Sequence, residues 1–247
     1  MIIKKIIKFL QKENMKYLNN LLFKKKNFKM NETIVISGAP RTGSTWLMEL
    51  LSLIPEYTYL FEPLHYRWFP DAKFYNFKSR TYIPPKKYSK YKYEYLTKCF
   101  SGNITSTNPR YKGNYDLIKK NINSSKLIVK FVRANRFLPW IAYNFEVKTI
   151  LLLIRHPCAV IESQLRTGTR GYMLLNELFP SKKQIIKEMK NINIFNDKLI
   201  EQVSRINSEE EILAVIWALD YYIPLYYFEK YNFKKQNIGI ISYEEIV

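Results

Sequence analysis

The sequence has little cysteine, little histidine and comparatively little acid. Its two cysteines, Cys99 and Cys158, cannot build a disulfide framework, which excludes the stapled secreted scaffolds and points to a reducing compartment. Two histidines, His65 and His156, stand apart from any cluster of cysteines or carboxylates, so no metal-ligand set is legible and no metal is expected. No apolar run reaches the roughly 18–20 residues that a bilayer-spanning helix needs. The opening M-I-I-K-K-I-I-K-F-L is broken by lysines, which spoils it as a signal-peptide core, and a cytoplasmic location is expected. There is no internal repeat.

Base and aromatic carbon are abundant. Forty Lys and Arg against 21 Asp and Glu leave a formal charge of +19 on 247 residues, of which 47% are hydrophobic and 16% aromatic. Such a chain can bury a core and is neither disordered nor fibrous. The charge favours a nucleotide, nucleic acid, acidic membrane or acidic polysaccharide as partner, yet solvated lysines account for it equally well. Residues 1–30 read as a basic amphipathic helix. Ile2, Ile3, Ile6, Ile7 and Leu10 share one face and Lys4, Lys5 and Lys8 the other. Peripheral membrane contact through residues 1–29 is one use of such a helix, and packing on the rest of the chain is the other.

Strands alternate with helices. Thr33–Ile36 is a β-branched run that stops at a glycine turn and is followed by the helical Trp46–Leu51. Lys126–Arg133 reads as a strand and Asn135–Phe145 as a helix. Lys148–Ile154 is almost unbroken apolar sequence, as expected of a strand buried on both faces of a parallel sheet. A helix opens at Pro157, two more cover 181–205 and 208–231, and Ile238–Ser242 is a last strand. This is an α/β fold with a central, mainly parallel sheet flanked by helices. Residues 65–113, rich in Tyr, Lys, Pro and Asn, read as long loops with short helices and suit a substrate-facing insertion.

Between the first strand and its helix lies Gly38-Ala39-Pro40-Arg41-Thr42-Gly43-Ser44-Thr45. A glycine-bracketed turn at a helix start offers backbone N–H groups and the positive dipole end to one phosphate. The glycines have the spacing of the nucleotide-triphosphate loop G-x-x-x-x-G-K-[ST], but Ser44 holds the lysine position and Arg41 sits inside the loop. That argues against an ATPase or kinase and for another phosphate ligand. After the buried strand, Arg155-His156-Pro157 opens a helix that carries Ser163. Neighbouring strand ends open onto one crevice, so Arg155 and Ser163 suit a second phosphate on the same ligand.

These residues carry a family likeness. Pro40-Arg41-Thr42-Gly43-Ser44-Thr45-Trp46 resembles the 5′-phosphosulfate loop of sulfotransferases that use 3′-phosphoadenosine 5′-phosphosulfate, most closely their carbohydrate 6-O-sulfotransferase branch. Arg155-His156-Pro157 with Ser163 resembles the 3′-phosphate element, with His156 where that family commonly has Asp. Tyr59-Leu60-Phe61-Glu62-Pro63-Leu64, Lys130-Phe131-Val132-Arg133 and Ser242-Tyr243-Glu244-Glu245-Ile246-Val247 match in order and type. The resemblance implies a three-layer P-loop-type fold over 31–247, with 65–120 facing the acceptor. It also implies family sequence beyond the Tyr-Glu segment, and hence a C-terminally truncated chain here.

The resemblance further implies in-line transfer of a sulfuryl group from that donor to an acceptor hydroxyl, with a carbohydrate as the leading acceptor and no metal required. Arg41 would hold the phosphosulfate and neutralise the leaving group, with Thr42, Gly43, Ser44 and Thr45 cradling the phosphate. Trp46 would stack on adenine, or else be a core tryptophan, while Arg155 and Ser163 would fix the 3′-phosphate, with possible help from Arg133. Glu62 is the expected base and His65 the rival. Two other readings stay open: a P-loop nucleotide kinase or NTPase with a degenerate loop, and a non-catalytic basic protein that binds nucleic acid or membranes. In the last, Tyr82, Tyr88, Tyr91, Tyr93 and Tyr95 would stack bases, although no nucleic-acid motif is present and no nucleic-acid partner is expected.

Overall fold

The computed structural model describes residues 2–108, 110, 115–168, 180–231, 233 and 236–247; for 2–12, 115, 167 and 168 it describes the backbone alone. Five parallel strands form one sheet: β1 (Ile34–Ser37), β2 (Tyr57–Phe61), β3 (Lys126–Phe131), β4 (Thr149–Ile154) and β5 (Ile238–Ser242), in the order β2-β3-β1-β4-β5. Ser37 is in register with Phe131 on one side and Leu152 on the other. Strands β1 and β2 are buried along their whole length, and β3 along all but its first residue. Burial on both faces explains why they read as continuous apolar runs without alternation.

The chain leaves β1 toward β2 on one side and later returns to β4 on the other. Such a reversal opens a crevice at the carboxyl ends of the central strands. The helix α2 (Ser44–Leu51) follows β1 at that edge, and α7 (Pro157–Gly168) follows β4 there. Between them in sequence lie α3 (Pro70–Phe74), α4 (Lys90–Ser101), α5 (Tyr115–Asn123) and α6 (Leu138–Asn144). The helix α1 (Ile2–Lys26) precedes β1 and packs against α5. The apolar face read from Ile2, Ile3, Ile6, Ile7 and Leu10 lies outside the described side chains.

One reading of the sequence needs correction, and one strand went unread. The single helix expected over 181–205 is two, α8 (Lys182–Ile192) and α9 (Asp197–Ser204). Asn193 adopts the left-handed conformation that ends the first, and the side chain of Asn196 accepts from Leu199 N–H to start the second. Strand β2, unremarked in the sequence, lies at the sheet edge. The long α10 (Glu209–Lys230) packs with α8 and α9 around Ile185, Met189, Leu219 and Ile223.

Candidate active site

The turn after β1 is held from three directions. The Thr42 hydroxyl donates to Ala39 O at 2.8 Å, closing the loop on itself. Ala39 N–H donates to the Tyr221 hydroxyl at 3.1 Å, which in turn donates to Leu153 O at 3.0 Å. One phenol on α10 therefore clasps the loop to the end of β4. Burial pushes the Tyr221 phenol well above its ordinary range, so it stays protonated and able to donate. Gln164 on α7 donates to Pro40 O at 2.9 Å.

Gly43 begins α2 with φ +90°, a left-handed conformation that costs glycine little. A Cβ there would stand 2.5 Å from the Tyr243 ring. No side chain caps this start among the described residues, so the first-turn N–H groups are left for water or a ligand. Arg41 also takes a positive φ, +75°, although it is not glycine. Backbone strain of this kind clusters where a ligand must be held.

The two arginines expected at separate phosphates are joined. Arg41 Nε donates to Ser163 Oγ at 3.0 Å, and Arg155 Nη1 donates to Arg41 O at 3.1 Å. The sequence suggested that Ser163 would face Arg155; its hydroxyl accepts from Arg41. Trp217 Nε1–H donates to Arg155 O at 3.2 Å, and the Arg155 guanidinium lies 4.4 Å from the Tyr243 ring centroid. Arg155 Nε is buried with no hydrogen-bond partner among the described residues. Glu244 accepts from His156 N–H at 2.9 Å, tying the end of β5 to the turn after β4, and that N–H holds its carboxyl below the usual range. His156 itself is exposed, with its side chain outside the cavity.

Across the crevice, Glu62 continues β2 into a turn with φ +50° and donates its N–H to Lys130 O. Its carboxylate accepts from Lys130 Nζ at 2.6 Å and lies 3.6 Å from Arg133 Nη1. Lys130 is 1% exposed, and burial lowers its ammonium pKa against the opposing pull of Glu62. His65 is buried and stacks on Trp68 with ring centroids 3.9 Å apart.

Together these groups enclose a cavity of about 560 Å³, lined by Arg41, Gly43, Ser44, Thr45, Trp46, Glu62, His65 and Arg155 among others. Thr42 is buried and serves the loop instead. Trp46 is 39% exposed and meets Tyr243 edge-on at 6.2 Å, so it is a rim residue and not a core tryptophan. Trp68, Lys130 as partner of Glu62, Tyr221 and the ring of Tyr243 went unread in the sequence. Only an aromatic or charged residue inside an apolar stretch marked them.

The cavity fits an anionic ligand of nucleotide size, since sites for such ligands commonly enclose roughly 300–1,000 Å³. Its cations and open N–H groups outnumber its two carboxylates, and both are already ion-paired, Glu62 as above and Glu49 to Arg110. No group of three or more His, Cys, Asp or Glu is arranged to hold a metal ion among the described residues. Nor is any helix there long and apolar enough to cross a membrane.

The tyrosines between 82 and 95 do not form one stacking surface. Tyr95 is fully buried and donates to Pro63 O, and the Tyr82 hydroxyl bonds that of Tyr227 at 2.6 Å. Tyr93 stacks on Phe145. Only Tyr88 and Tyr91 stand well out in solvent.

No protein-family model and no curated protein matches the chain in sequence. Among solved structures it is similar to the sulfotransferase domain from the curacin biosynthetic pathway, with 17% identity and a TM-score of 0.39 over 86% of this chain and 67% of that one. A likeness so remote transfers no residue roles.

Proposed function

We propose that the protein is a sulfotransferase that moves the sulfuryl group of 3′-phosphoadenosine 5′-phosphosulfate to the hydroxyl of a carbohydrate. The observation that carries this reading is the joined pair of cationic elements. Arg41 in a phosphate loop without the usual lysine bonds Ser163, and Arg155 bonds the backbone of Arg41. A donor with phosphate on both the 5′ and 3′ oxygens has two anionic ends for these groups to hold. A nucleoside triphosphate would instead need the lysine that Ser44 replaces.

On this reading the α2 N–H groups with Ser44 and Thr45 cradle the 5′-phosphate, and Arg41 stabilises the charge that grows on the leaving phosphate oxygen. Arg155 and Ser163 hold the 3′-phosphate, and Trp46 offers its exposed face to the adenine. Glu62 takes the proton from the acceptor oxygen as that oxygen bonds sulfur and the sulfur–phosphate-oxygen bond breaks. Balance requires only the two substrates: the proton ends on Glu62, the electron pair on the leaving bisphosphate. Catalysis then consists of positioning and cationic stabilisation, by analogy with phosphoryl transfer.

The test is retention on immobilised adenosine 3′,5′-bisphosphate, displaced by free bisphosphate and not by ATP, followed by transfer of labelled sulfuryl to a panel of glycans, phenols and tyrosyl peptides. Displacement by ATP alone would replace this reading with a nucleotide kinase or NTPase. Label on phenols or peptides and not on glycans would keep the donor and overturn the acceptor.

A further inference from the structure

Away from the cavity, the C-terminal ends of three helices converge. Lys26 Nζ at the end of α1 donates to Ile122 O on α5 at 2.5 Å, and Lys120 Nζ on α5 donates to Ser52 O, just past α2. These two lysines satisfy helix-end carbonyls, the usual role of a cation there. Lys24, Lys25 and Lys119 are exposed at the same ends.

Apolar side chains stand among them. The described part of α1 buries Met15, Asn19 and Phe23 and turns Tyr17, Leu18 and Leu21 outward at 65%, 50% and 46% exposure. At the end of α2, Leu50, Leu53 and Ile54 are 46%, 76% and 45% exposed, and Ile122 on α5 is 52%. Scattered exposed leucines are ordinary; a group of this size at one convergence of helices is not. The nearby acids are already taken, Glu49 by Arg110 and Glu56 by Lys126.

The charge chooses the occupant. The sequence of α1 holds eight lysines against one glutamate, so a second copy would bring like charge against like charge. An anionic bilayer surface answers both features: acyl chains and the interfacial zone take the leucines and Tyr17, and acidic headgroups take the lysines. We propose that this convergence of α1, α2 and α5 docks the protein on an anionic lipid bilayer. Trp46 at the cavity rim and Leu50 lie one turn apart on α2, and Leu53 and Ile54 follow in the turn past its end, so docking sets the cavity mouth beside the membrane. This inference stands whether or not the cavity transfers sulfuryl groups.

The experiment is co-sedimentation of the full chain with phosphatidylcholine vesicles, with and without phosphatidylserine. Binding is expected only with phosphatidylserine and should weaken as salt rises. Lys24→Gln with Lys25→Gln should lower the partition constant about fivefold per lysine removed. Leu18→Glu with Leu53→Glu should lower it further, both variants keeping the wild-type circular dichroism and melting. Were the leucine variant to misfold, the lysine variant alone decides, since its side chains lie in solvent. No binding, equal binding to both vesicles, or binding indifferent to the lysines would overturn the proposal. So would a concentration-dependent dimer that the leucine variant abolishes.

Discussion

Arg41 reaches across 122 residues of chain to Ser163, donating its Nε–H to the Ser163 hydroxyl at 3.0 Å. The bond uses Nε alone, and Arg41 lines the cavity with its guanidinium fork. Arg41→Lys keeps the charge and loses the fork, so affinity for adenosine 3′,5′-bisphosphate should fall at least about tenfold. Ser163→Ala removes one neutral partner and should cost about 1 kcal/mol, roughly fivefold. Titration calorimetry with the bisphosphate reads both, and an Arg41→Lys variant of wild-type affinity would remove this arginine from the site.

Arg155 should act on one end of the ligand only. It is joined to Arg41 through a backbone oxygen and packed against the Tyr243 ring, and its buried Nε has no hydrogen-bond partner among the described residues. Arg155→Ala should weaken adenosine 3′,5′-bisphosphate at least tenfold more than adenosine 5′-monophosphate, the order of a lost charge-assisted hydrogen bond. Equal losses for the two nucleotides would overturn its assignment to the 3′-phosphate.

Gly43 is fixed by two separate constraints. Its φ of +90° is strained for any L side chain, and the Tyr243 ring occupies the space a Cβ would need. Gly43→Ala should therefore destabilise the protein by about 1–3 kcal/mol. Tyr243→Ala in the same chain relieves the clash but not the backbone strain, so denaturant melts of the double variant should recover only part of the loss. Full recovery would mean that the backbone conformation costs nothing.

Glu244 gives the structure an acid-sensitive latch. His156 N–H holds its carboxyl below the usual range, helped by Ser242 and Arg155. A carboxyl depressed by folding adds stability above its unfolded pKa, and that stability is lost as pH falls through the folded value. The gap in urea midpoint between wild type and Glu244→Gln should be open at neutral pH and close in acid. Its size stays small because the carboxylate is exposed. A gap that persists below the carboxylate range would point to a packing role.

The legible parts of this molecule are those whose cause is local. β1, its glycine turn and α2 follow from a β-branched run, two glycines and an apolar helix face, and β4 follows from unbroken apolar sequence. Contacts between distant segments left no such mark. Lys130 is buried in β3 with Glu62 as its partner, a contact that exists only once β2 and β3 pair. Arg136 is likewise buried between Asp220 and Glu188, partners 84 and 52 residues away. Tyr221 carries no local mark of its role, because its hydroxyl meets Ala39 and Leu153 only across the fold. Strand β2 hid because its five buried residues show no alternation and the chain turns at both ends.

The proposed reading makes Glu62 the base, and two ion pairs surround it. A carboxylate bonded to Lys130 at 2.6 Å and lying 3.6 Å from Arg133 Nη1 is held in one orientation at the cavity wall. Glu62→Gln keeps the shape and a hydrogen-bond acceptor, so nucleotide affinity should hold within about twofold while kcat falls 10²–10⁴-fold, roughly the worth of a positioned general base. His65→Gln should leave kcat within about tenfold, since its ring is committed to stacking on Trp68. The reverse ranking of the two variants, with bisphosphate affinity intact in both, would transfer the role to His65.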